Sequence, residues 1–251
     1  MIKIRQLVKK YNKTLAVNHL SLDIAKGEVF GFLGPNGAGK TTTIKMMMGL
    51  LKPTEGSITV GGIDISVDPV RAKSMVGYIP DRPYIYEKLT GLEYLEFVSD
   101  LYGVDKKVAE VRAKKFLEFF DLWEVGNEMI EGYSHGMKQK LIISGALIHQ
   151  PKVIIVDEPL VGLDPRGARQ VKRLFQDLCK QGTTLFMSTH SLGIAEAMCD
   201  RIGIILKGEL IALGTVDELR VQAEHEHGDL EEIFLKLTGD HDLDPLIDSL
   251  K

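Results

Sequence analysis

The stretch GPNGAGKT, from Gly34 to Thr41, constrains this chain more strongly than any other part of its sequence. It follows the apolar run EVFGFL, which is typical of a buried strand, and precedes KTTTIKMMMGLL, which has the spacing of a helix. Glycines at both ends of such a loop allow backbone N–H groups and a helix N-terminus to surround anionic oxygens. The pattern therefore predicts an α/β fold in which a phosphate-binding loop joins a central strand to a helix.

The last two residues of this loop are of the types that bind the phosphates and the metal ion of a nucleoside triphosphate. In this motif Lys40 reaches the β- and γ-phosphates, and the Thr41 hydroxyl binds Mg²⁺. A glycine turn without a ligand is the alternative, but the strand before the motif and the helix after it are the flanks that the motif requires. The sequence therefore predicts that the chain binds a nucleoside triphosphate with Mg²⁺.

The rest of the chain arranges strands and helices around this loop. The residues before the loop alternate apolar and polar side chains between turn signals, as short antiparallel strands do. Residues 84–150 have helical spacing with no strand between the helices, and apolar strands alternating with helices follow them. We therefore predict the α/β class: a phosphate-loop NTPase core with a mainly parallel sheet, an N-terminal antiparallel β subdomain, and a helical lobe inserted at about 84–150.

Charge is unevenly distributed along the chain. The whole sequence has a net charge of −4, which gives no electrostatic reason to expect a nucleic-acid partner. Residues 221–251 contain nine acidic and two basic side chains, a difference of −7. We expect this segment to be an acidic, partly helical tail with a solvated surface, following a domain formed by residues 1–220.

Two adjacent carboxylates follow the apolar run VIIV. Asp157 and Glu158 come at the C-terminal end of this predicted strand, where ligands bind in open α/β sheets. We expect Asp157 to hold Mg²⁺ and Glu158 to act as a general base on the attacking water. A surface charge pair at a strand end is the alternative, and the presence of the phosphate loop makes it the less favoured one.

The segment GYSHGMKQK, from Gly132 to Lys140, has the composition of another phosphate site, just before the apolar run LIISGALI. Because the chain already has a phosphate loop, this segment raises the question of whose phosphate Ser134 holds.

For two further residues, the sequence alone does not distinguish a functional role from a structural one. They are His190, at the end of TLFMSTH, and Tyr11, in the first strands.

Five segments occur in an order and spacing that resemble the ATP-binding cassette (ABC) ATPase subunit over at least residues 2–220: GPNGAGKT, YSHGMKQK, VIIVDEP, VGLDP and MSTH. YSHGM is the decisive part, because many phosphate-loop ATPases have the other pieces. The resemblance implies ATP and Mg²⁺ as cofactors, with Glu158 and His190 as catalytic residues. The metal ligands that it implies are Thr41, Asp157 and Asp81. The nucleotide-binding residues that it implies are Tyr11, Gly34, Asn36, Gly37, Ala38, Gly39, Lys40, Thr41, Thr42, Ser134, His135, Gly136 and Asp164.

The resemblance also implies individual roles. Tyr11 matches the aromatic residue that stacks on adenine, and His190 matches the histidine that contacts the γ-phosphate. Residues 162–164 match the loop that crosses a dimer interface. In such a dimer two cassettes pair head to tail, so the resemblance implies that Ser134 holds the ATP of the neighbouring subunit.

Two positions depart from the usual pattern of the family. Asp81 stands where the linking loop usually has glutamine, so its carboxylate adds charge near the phosphates and reaches less far. His135 stands where the signature segment usually has its first glycine. Its imidazole either donates to a phosphate oxygen when protonated or points away from the nucleotide, and the sequence leaves both orientations open.

The resemblance implies a separate membrane permease as partner, driven by dimer closure and ATP hydrolysis, with export as the favoured direction. The segment RPYIYEKLTGLEYLEF matches the region that contacts a permease. Its amphipathic side chains are candidates either for that contact or for the core. They are Tyr84, Ile85, Tyr86, Leu89 and Tyr94.

A soluble ABC ATPase without a membrane partner is the alternative, of the type that serves iron–sulphur assembly, translation or DNA repair. The chain has neither the long coiled coil of the repair type nor the second cassette of the translation type. No stretch resembles a signal peptide, and no apolar run is long enough to span a bilayer. We therefore expect a cytoplasmic subunit, either a homodimer or one of a pair of cassettes, held at the inner face of the membrane by its permease.

Overall fold

The structure, a computed structural model, describes residues 1–81, 84–223 and 229–238. Its strands within these ranges are β1 (Ile2–Tyr11), β2 (Thr14–Ile24), β3 (Val29–Leu33), β4 (Glu55–Val60), β5 (Ile63–Asp64), β6 (Val76–Ile79), β7 (Val153–Asp157), β8 (Thr184–Thr189), β9 (Arg201–Leu206) and β10 (Glu209–Gly214).

The α-helices within the same ranges are α1 (Lys40–Met47), α2 (Pro69–Lys73), α3 (Gly91–Leu101), α4 (Lys106–Phe119), α5 (His135–Leu147), α6 (Pro165–Lys180), α7 (Leu192–Met198), α8 (Val216–Gln222) and α9 (Leu230–Thr238). A short 3-10 helix, Ile130–Gly132, precedes α5.

The strands form two sheets. The first is antiparallel and has the order β2-β1-β4-β5. The second has the order β10-β9-β3-β8-β7-β6 and is parallel except for β10, which runs antiparallel to β9. The predicted α/β class, with a mainly parallel sheet and an N-terminal antiparallel sheet, is confirmed.

The central strands β3, β7 and β8 are buried along their whole length, because the second sheet is covered on both faces. Their register brings their C-terminal ends together: Leu33 pairs with Thr189, and Asp157 pairs with Ser188. The phosphate loop after β3 and the carboxylates at the end of β7 consequently lie at one edge of the sheet.

Helices α3, α4 and α5 occupy the region predicted as the helical lobe. Polar caps define where they begin: Thr90 and Glu93 form a capping box at α3, and the Asp105 side chain accepts backbone N–H bonds at the start of α4. The strand-type pairing described inside this region is a single antiparallel bridge between Thr90 and Met129. Buried side chains of α3, α4 and α5 pack with those of β7 and β8 in one hydrophobic cluster.

The tail predicted for residues 221–251 falls only partly within the described ranges. Its first residues end α8, and α9 (Leu230–Thr238) packs its buried Leu230 and Ile233 into a cluster with β9 and α7. The prediction for residues 224–228 and 239–251 lies outside the described residues. None of the helices described is long and apolar enough to cross a membrane.

His149 and Tyr102 connect the lobe to the core. Tyr102 follows α3, and its ring stacks on the His149 imidazole with the ring centroids 3.7 Å apart and the planes inclined by 10°. The Tyr102 hydroxyl donates a hydrogen bond to the Val76 carbonyl of β6 at 3.4 Å. Burial lowers the pKa of His149 to about 4; the Val76 carbonyl opposes this decrease and the Arg112 guanidinium adds to it.

We expect this histidine to make the protein less stable in acid. Its pKa in the folded chain is about 4, below the usual 6.5, so between these pH values the unfolded chain binds a proton that the folded chain does not. The full pKa difference corresponds to roughly 3 kcal/mol, and we discount it because the ring is only partly buried. The free energy of unfolding should therefore fall by on the order of 2 kcal/mol as the pH is lowered through this window. Urea unfolding at several pH values measures this decrease.

The matched variants for this prediction are His149→Phe and His19→Gln. Phenylalanine keeps an aromatic ring against Tyr102 but cannot bind a proton, so the acid-dependent loss should shrink. His19 is exposed, and its replacement should leave the loss unchanged. The same pH dependence in His149→Phe as in the wild type would contradict this assignment.

Candidate active site

The glycines of the phosphate loop are required for different reasons. A Cβ atom on Gly34 would lie 2.3 Å from the carbonyl oxygen of Ile205, and one on Gly39 would lie 2.5 Å from that of Ala16. A Cβ atom on Gly37 would meet nothing within 4 Å, but the residue has a φ of +80°. Close packing thus requires glycine at both ends of the loop, and a positive φ favours it at Gly37 and also at Gly39, where φ is +111°.

The loop is held against the core from its C-terminal side. Ala38 is buried, whereas Asn36 is exposed at the tip of the loop. The Thr43 hydroxyl donates to the carbonyl of Gly39 at 3.0 Å, and Thr42 is half-buried beside it. The exposed tip is the part of the loop that is open to a ligand.

Lys40, the first residue of α1, turns back over the loop. Its Nζ donates to the carbonyl of Gly34 at 2.6 Å and to that of Pro35 at 3.1 Å. Burial lowers the pKa of Lys40, and the Glu158 and Asp157 carboxylates oppose this decrease. A mostly buried ammonium group beside a loop of backbone N–H groups favours an anionic ligand.

Thr41 and Asp157 lie together at the end of β7. The Thr41 hydroxyl donates to Asp157 Oδ2 at 3.2 Å, and Asp157 is 5% exposed. Burial raises the pKa of Asp157; the Ser188 and Thr41 hydroxyls oppose this increase, and the Asp81 and Glu158 charges add to it. A cation beside this carboxylate would stabilise its ionised form.

Hydroxyl and carboxylate oxygens are the ligand types that Mg²⁺ prefers. No group of three or more His, Cys, Asp or Glu residues that could hold a metal ion occurs in residues 1–81, 84–223 and 229–238. The Thr41 hydroxyl and the Asp157 carboxylate fit Mg²⁺, which is usually bound through one or two carboxylates plus the phosphates of the substrate.

Glu158 is fixed by the strand next to its own. Its Oε1 accepts hydrogen bonds from the backbone N–H of His190 at 3.0 Å and from His190 Nδ1 at 2.6 Å, and its Oε2 accepts one from the Thr189 hydroxyl at 3.1 Å. The side chain of Glu158 is 14% exposed and that of His190 is 66% exposed. A well-oriented carboxylate thus lies beside an imidazole that is open to the surface.

Asp81 follows β6, the strand next to β7. It is exposed, and its charge raises the pKa of the buried Asp157. It also contributes, after burial and the charge of Asp157, to raising the pKa of Tyr78 to about 12. Asp81 therefore adds a negative charge close to Asp157, another of the predicted magnesium ligands.

The signature residues lie apart from these groups, at the start of α5. Ser134 is the N-cap of this helix, and its hydroxyl accepts a hydrogen bond from the backbone N–H of Met137 at 3.3 Å. His135 places its ring against Gly162, and a Cβ atom on Gly136 would lie 3.0 Å from the Gly162 carbonyl oxygen. Among the residues described, no hydrogen bond joins the signature segment to the phosphate loop.

Asp164 and Tyr11 occupy different surroundings. The Asp164 carboxylate is the N-cap of α6, accepting the backbone N–H of Gly167 at 2.9 Å. Tyr11 ends β1 and is 45% exposed, with Lys9 Nζ 5.2 Å from the centroid of its ring. The nucleotide contacts predicted for both residues remain predictions.

The structure thus brings together Lys40, Thr41, Asp157, Glu158 and His190. Sequence reasoning missed the supporting hydroxyl groups, of which Thr189 is the clearest. Thr189 holds Glu158 and also accepts a hydrogen bond from the backbone N–H of Ser191 at 3.0 Å. The hydroxyls in the segment MSTH were the available signal, because this predicted strand adjoins a carboxylate pair.

The fold and these five residues define a phosphate-loop nucleoside triphosphatase. The family model described as "ABC transporter" matches residues 17–161. The linearmycin resistance ATP-binding protein LnrL of Bacillus subtilis (strain 168) is 41% identical over 87% of this chain and 70% of its own length.

Solved structures agree with this relationship. A structure of an "ATP binding subunit of ABC transporter" superposes with a TM-score of 0.91 at 32% identity, covering 95% of this chain and 99% of the other. A dimeric post-hydrolysis state of the ATP-binding cassette MJ0796, bound to ADP and Pi, has a TM-score of 0.79 at 25% identity, covering 86% of this chain and 98% of the other. The chain belongs to the ABC transporter family as an ATP-binding subunit, and it is an ATPase.

Lys40→Ala should weaken ATP binding by about ten- to hundredfold, because it removes a charged hydrogen-bond donor from the phosphate loop. Equilibrium binding of a fluorescent ATP analogue measures the effect. Lys45→Ala is the matched control, since Lys45 is exposed on the same helix. Unchanged affinity in Lys40→Ala would contradict the predicted role of this lysine.

Proposed function

We propose that this chain is the motor subunit of an ABC exporter. Two copies, or this chain and a related cassette, pair head to tail around two ATP molecules, and closure and hydrolysis drive a separate membrane permease. The observation that carries the proposal is the separation of two half-sites on one chain. Lys40, Asp157 and Glu158 converge at the sheet edge, whereas the exposed Ser134 begins a helix of the lobe.

Head-to-tail pairing makes this separation useful. Each ATP would be bound by the phosphate loop of one subunit and by Ser134 of the other, which brings a second helix N-terminus to the phosphates. Thr41 and Asp157 would hold the Mg²⁺ ion that neutralises phosphate charge. Glu158 would take a proton from the attacking water, and His190, next to it, would contact the γ-phosphate. The dimeric cassette bound to ADP and Pi supports this arrangement by similarity.

Exposed aromatic side chains before and within α3 favour a permease contact. Tyr84 and Tyr86 are 87% and 63% exposed, and Tyr86 packs edge to face with Phe97 at a centroid distance of 5.4 Å. Tyr94, by contrast, packs against α5, where a Cβ atom on Gly145 would lie 3.0 Å from its ring. Of the five side chains considered for this contact, Tyr84 and Tyr86 are therefore the candidates for the permease, and Tyr94 belongs to the core.

The remaining two side chains are intermediate in their exposure to solvent. Ile85 and Leu89 are partly buried and pack against the hydrophobic cluster of the lobe. Rigid aromatic anchors beside partly buried aliphatic residues suit a helix-in-groove contact. The subunit would then lie at the cytoplasmic face of the membrane. The name of the resistance relative supports export as the direction of transport.

Co-purification tests the proposal. Tagged protein is extracted from detergent-solubilised membranes of the native host, and its partners are identified by mass spectrometry. We expect a polytopic membrane protein in amounts comparable to those of the tagged subunit. Partners from the ribosome, DNA repair or iron–sulphur assembly, with no membrane protein, would instead support a soluble ABC ATPase.

A pair of double variants localises the contact. Tyr84→Asp with Tyr86→Asp should abolish co-purification of the permease while ATP binding is retained. Val67→Asp with Val70→Asp is the matched control, because these side chains are 80% and 79% exposed outside the lobe. Loss of the permease in the control variant, or its retention in the tyrosine variant, would remove this surface from the proposal.

A further inference from the structure

The loop between β7 and α6 touches the signature segment of its own chain. The ring of His135 lies directly against Gly162: a Cβ atom added there would be 2.0 Å from His135 Cδ2 and 2.6 Å from His135 Nε2. Gly162 also has a φ of +78°, a conformation that favours glycine. The bulky residue in the signature segment and the glycine in the loop are thus complementary in shape.

The two ends of this loop are held by other contacts. At its start, Glu158 is fixed by hydrogen bonds from Thr189 and His190. At its end, Asp164 caps α6. Within the loop, Leu160 and Leu163 are partly buried and pack against the hydrophobic core. Val161 and Gly162 between them are exposed, and the His135 ring packs against Gly162.

We propose that His135 is a positioning residue that holds the tip of the loop 159–164 against the signature segment of the same chain. The inference rests on the proposed head-to-tail pair. In that pair Ser134 senses one nucleotide, while the Glu158 that precedes the loop acts on the other. His135 then links the two nucleotide sites through a single chain, and its ring acts by its shape and not by donating to a phosphate.

The first experiment separates shape from hydrogen bonding. His135→Ala should lower the single-turnover hydrolysis rate by roughly ten- to hundredfold at saturating ATP, because release of the loop 159–164 lets the adjoining Glu158 shift relative to the attacking water, which lowers the rate more than the affinity. His135→Phe, which keeps a planar ring but has no donor, should recover most of that loss. A His135→Phe variant as slow as His135→Ala would overturn the proposal in favour of a phosphate-donating imidazole.

The second experiment tests the contact itself. Gly162→Ala must displace the ring or the loop. In the double variant, the activation free energies lost by Gly162→Ala and His135→Ala should therefore not add. Gly62→Ala is the control for backbone conformation, since Gly62 has a φ of +82° and an added Cβ atom would meet nothing within 4 Å. A double variant whose rate falls by the product of the two single-variant factors would overturn the proposed contact.

The third experiment assigns the effect to one chain. A heterodimer is formed from a subunit carrying Lys40→Ala and one with an intact phosphate loop, so one competent site remains. Its phosphate loop and Glu158 come from the intact subunit, and its signature comes from the other. His135→Ala in the intact subunit should slow single-turnover hydrolysis at this site. No slowing there overturns the proposal, whatever the same change does in the other subunit.

The failure of the pairing model is distinguishable from the failure of this inference. ATP-dependent dimer formation is measured first, by size-exclusion chromatography of each pair. Absence of any dimer contradicts the proposed function and removes the basis of the inference with it. A dimer that forms but hydrolyses ATP independently of His135 in the intact subunit contradicts the inference alone.

Discussion

Replacement of Glu158 by glutamine is expected to slow ATP hydrolysis by about 10²- to 10⁴-fold while ATP binding is retained, because an amide cannot accept the proton of the attacking water. In the presence of ATP, a stable closed dimer should then accumulate. Hydrolysis is measured as released phosphate, and dimer formation by size-exclusion chromatography with and without ATP. Wild-type turnover in Glu158→Gln would remove this residue from the mechanism.

The surroundings of Glu158 make this substitution a specific test of its chemistry. A glutamine oxygen can accept the hydrogen bonds that His190 donates, and the amide nitrogen can donate to the Thr189 hydroxyl, which accepts from Ser191 as well. The side chain should therefore keep its position. Glu209→Gln is the matched control, since this exposed glutamate of β10 accepts a hydrogen bond from Asn18 at 2.6 Å, and its turnover should not change.

The phosphate loop was predictable because its signal is local. Gly34, Gly39 and Lys40 are specified by motif spacing, and the flanking strand and helix by apolar periodicity. The structure adds the steric reason for the glycines, which comes from Ile205 and Ala16, residues distant in sequence. Long-range packing of this kind cannot be inferred from the spacing of residues in the motif.

The orientations of individual side chains could not be predicted. Periodicity places His135 at the start of a helix, but only the fold of residues 158–164 puts Gly162 under its ring. Likewise, the Asp164 carboxylate is engaged as the N-cap of α6. An aspartate followed by proline is a known signal for a helix start, so this capping role has a local signal in the sequence, whereas the nucleotide contact of Asp164 remains a prediction.

The order of the strands in the sheet also could not be predicted from the sequence. Alternation of strands and helices predicts a mainly parallel sheet, but several orders satisfy it. The observed order places β8 between β3 and β7, which is what brings Thr189 and His190 to Glu158. The catalytic grouping of His190 with Glu158 therefore came from the family resemblance and not from the residues alone.

Ser134 is expected to serve the nucleotide of a different chain, and substitution there should abolish ATP occlusion in a homodimer. Ser134→Asp is the suitable change. Aspartate is as good an N-cap as serine, so α5 should still begin at His135, yet its charge repels an approaching γ-phosphate. Thermal unfolding of the isolated subunit should accordingly stay close to that of the wild type.

Complementation between two defective proteins makes the expectation decisive. A homodimer of Lys40→Ala has two damaged phosphate loops, and a homodimer of Ser134→Asp has two damaged signatures, so neither should occlude ATP. In a head-to-tail heterodimer both lesions fall in one site, and the other combines an intact loop with an intact signature. Mixing should therefore restore about one occluded ATP per heterodimer, measured as labelled nucleotide that survives rapid gel filtration. If the two proteins demonstrably pair and no nucleotide is retained, Ser134 does not act on its neighbour's ATP and the exposed start of α5 has another role.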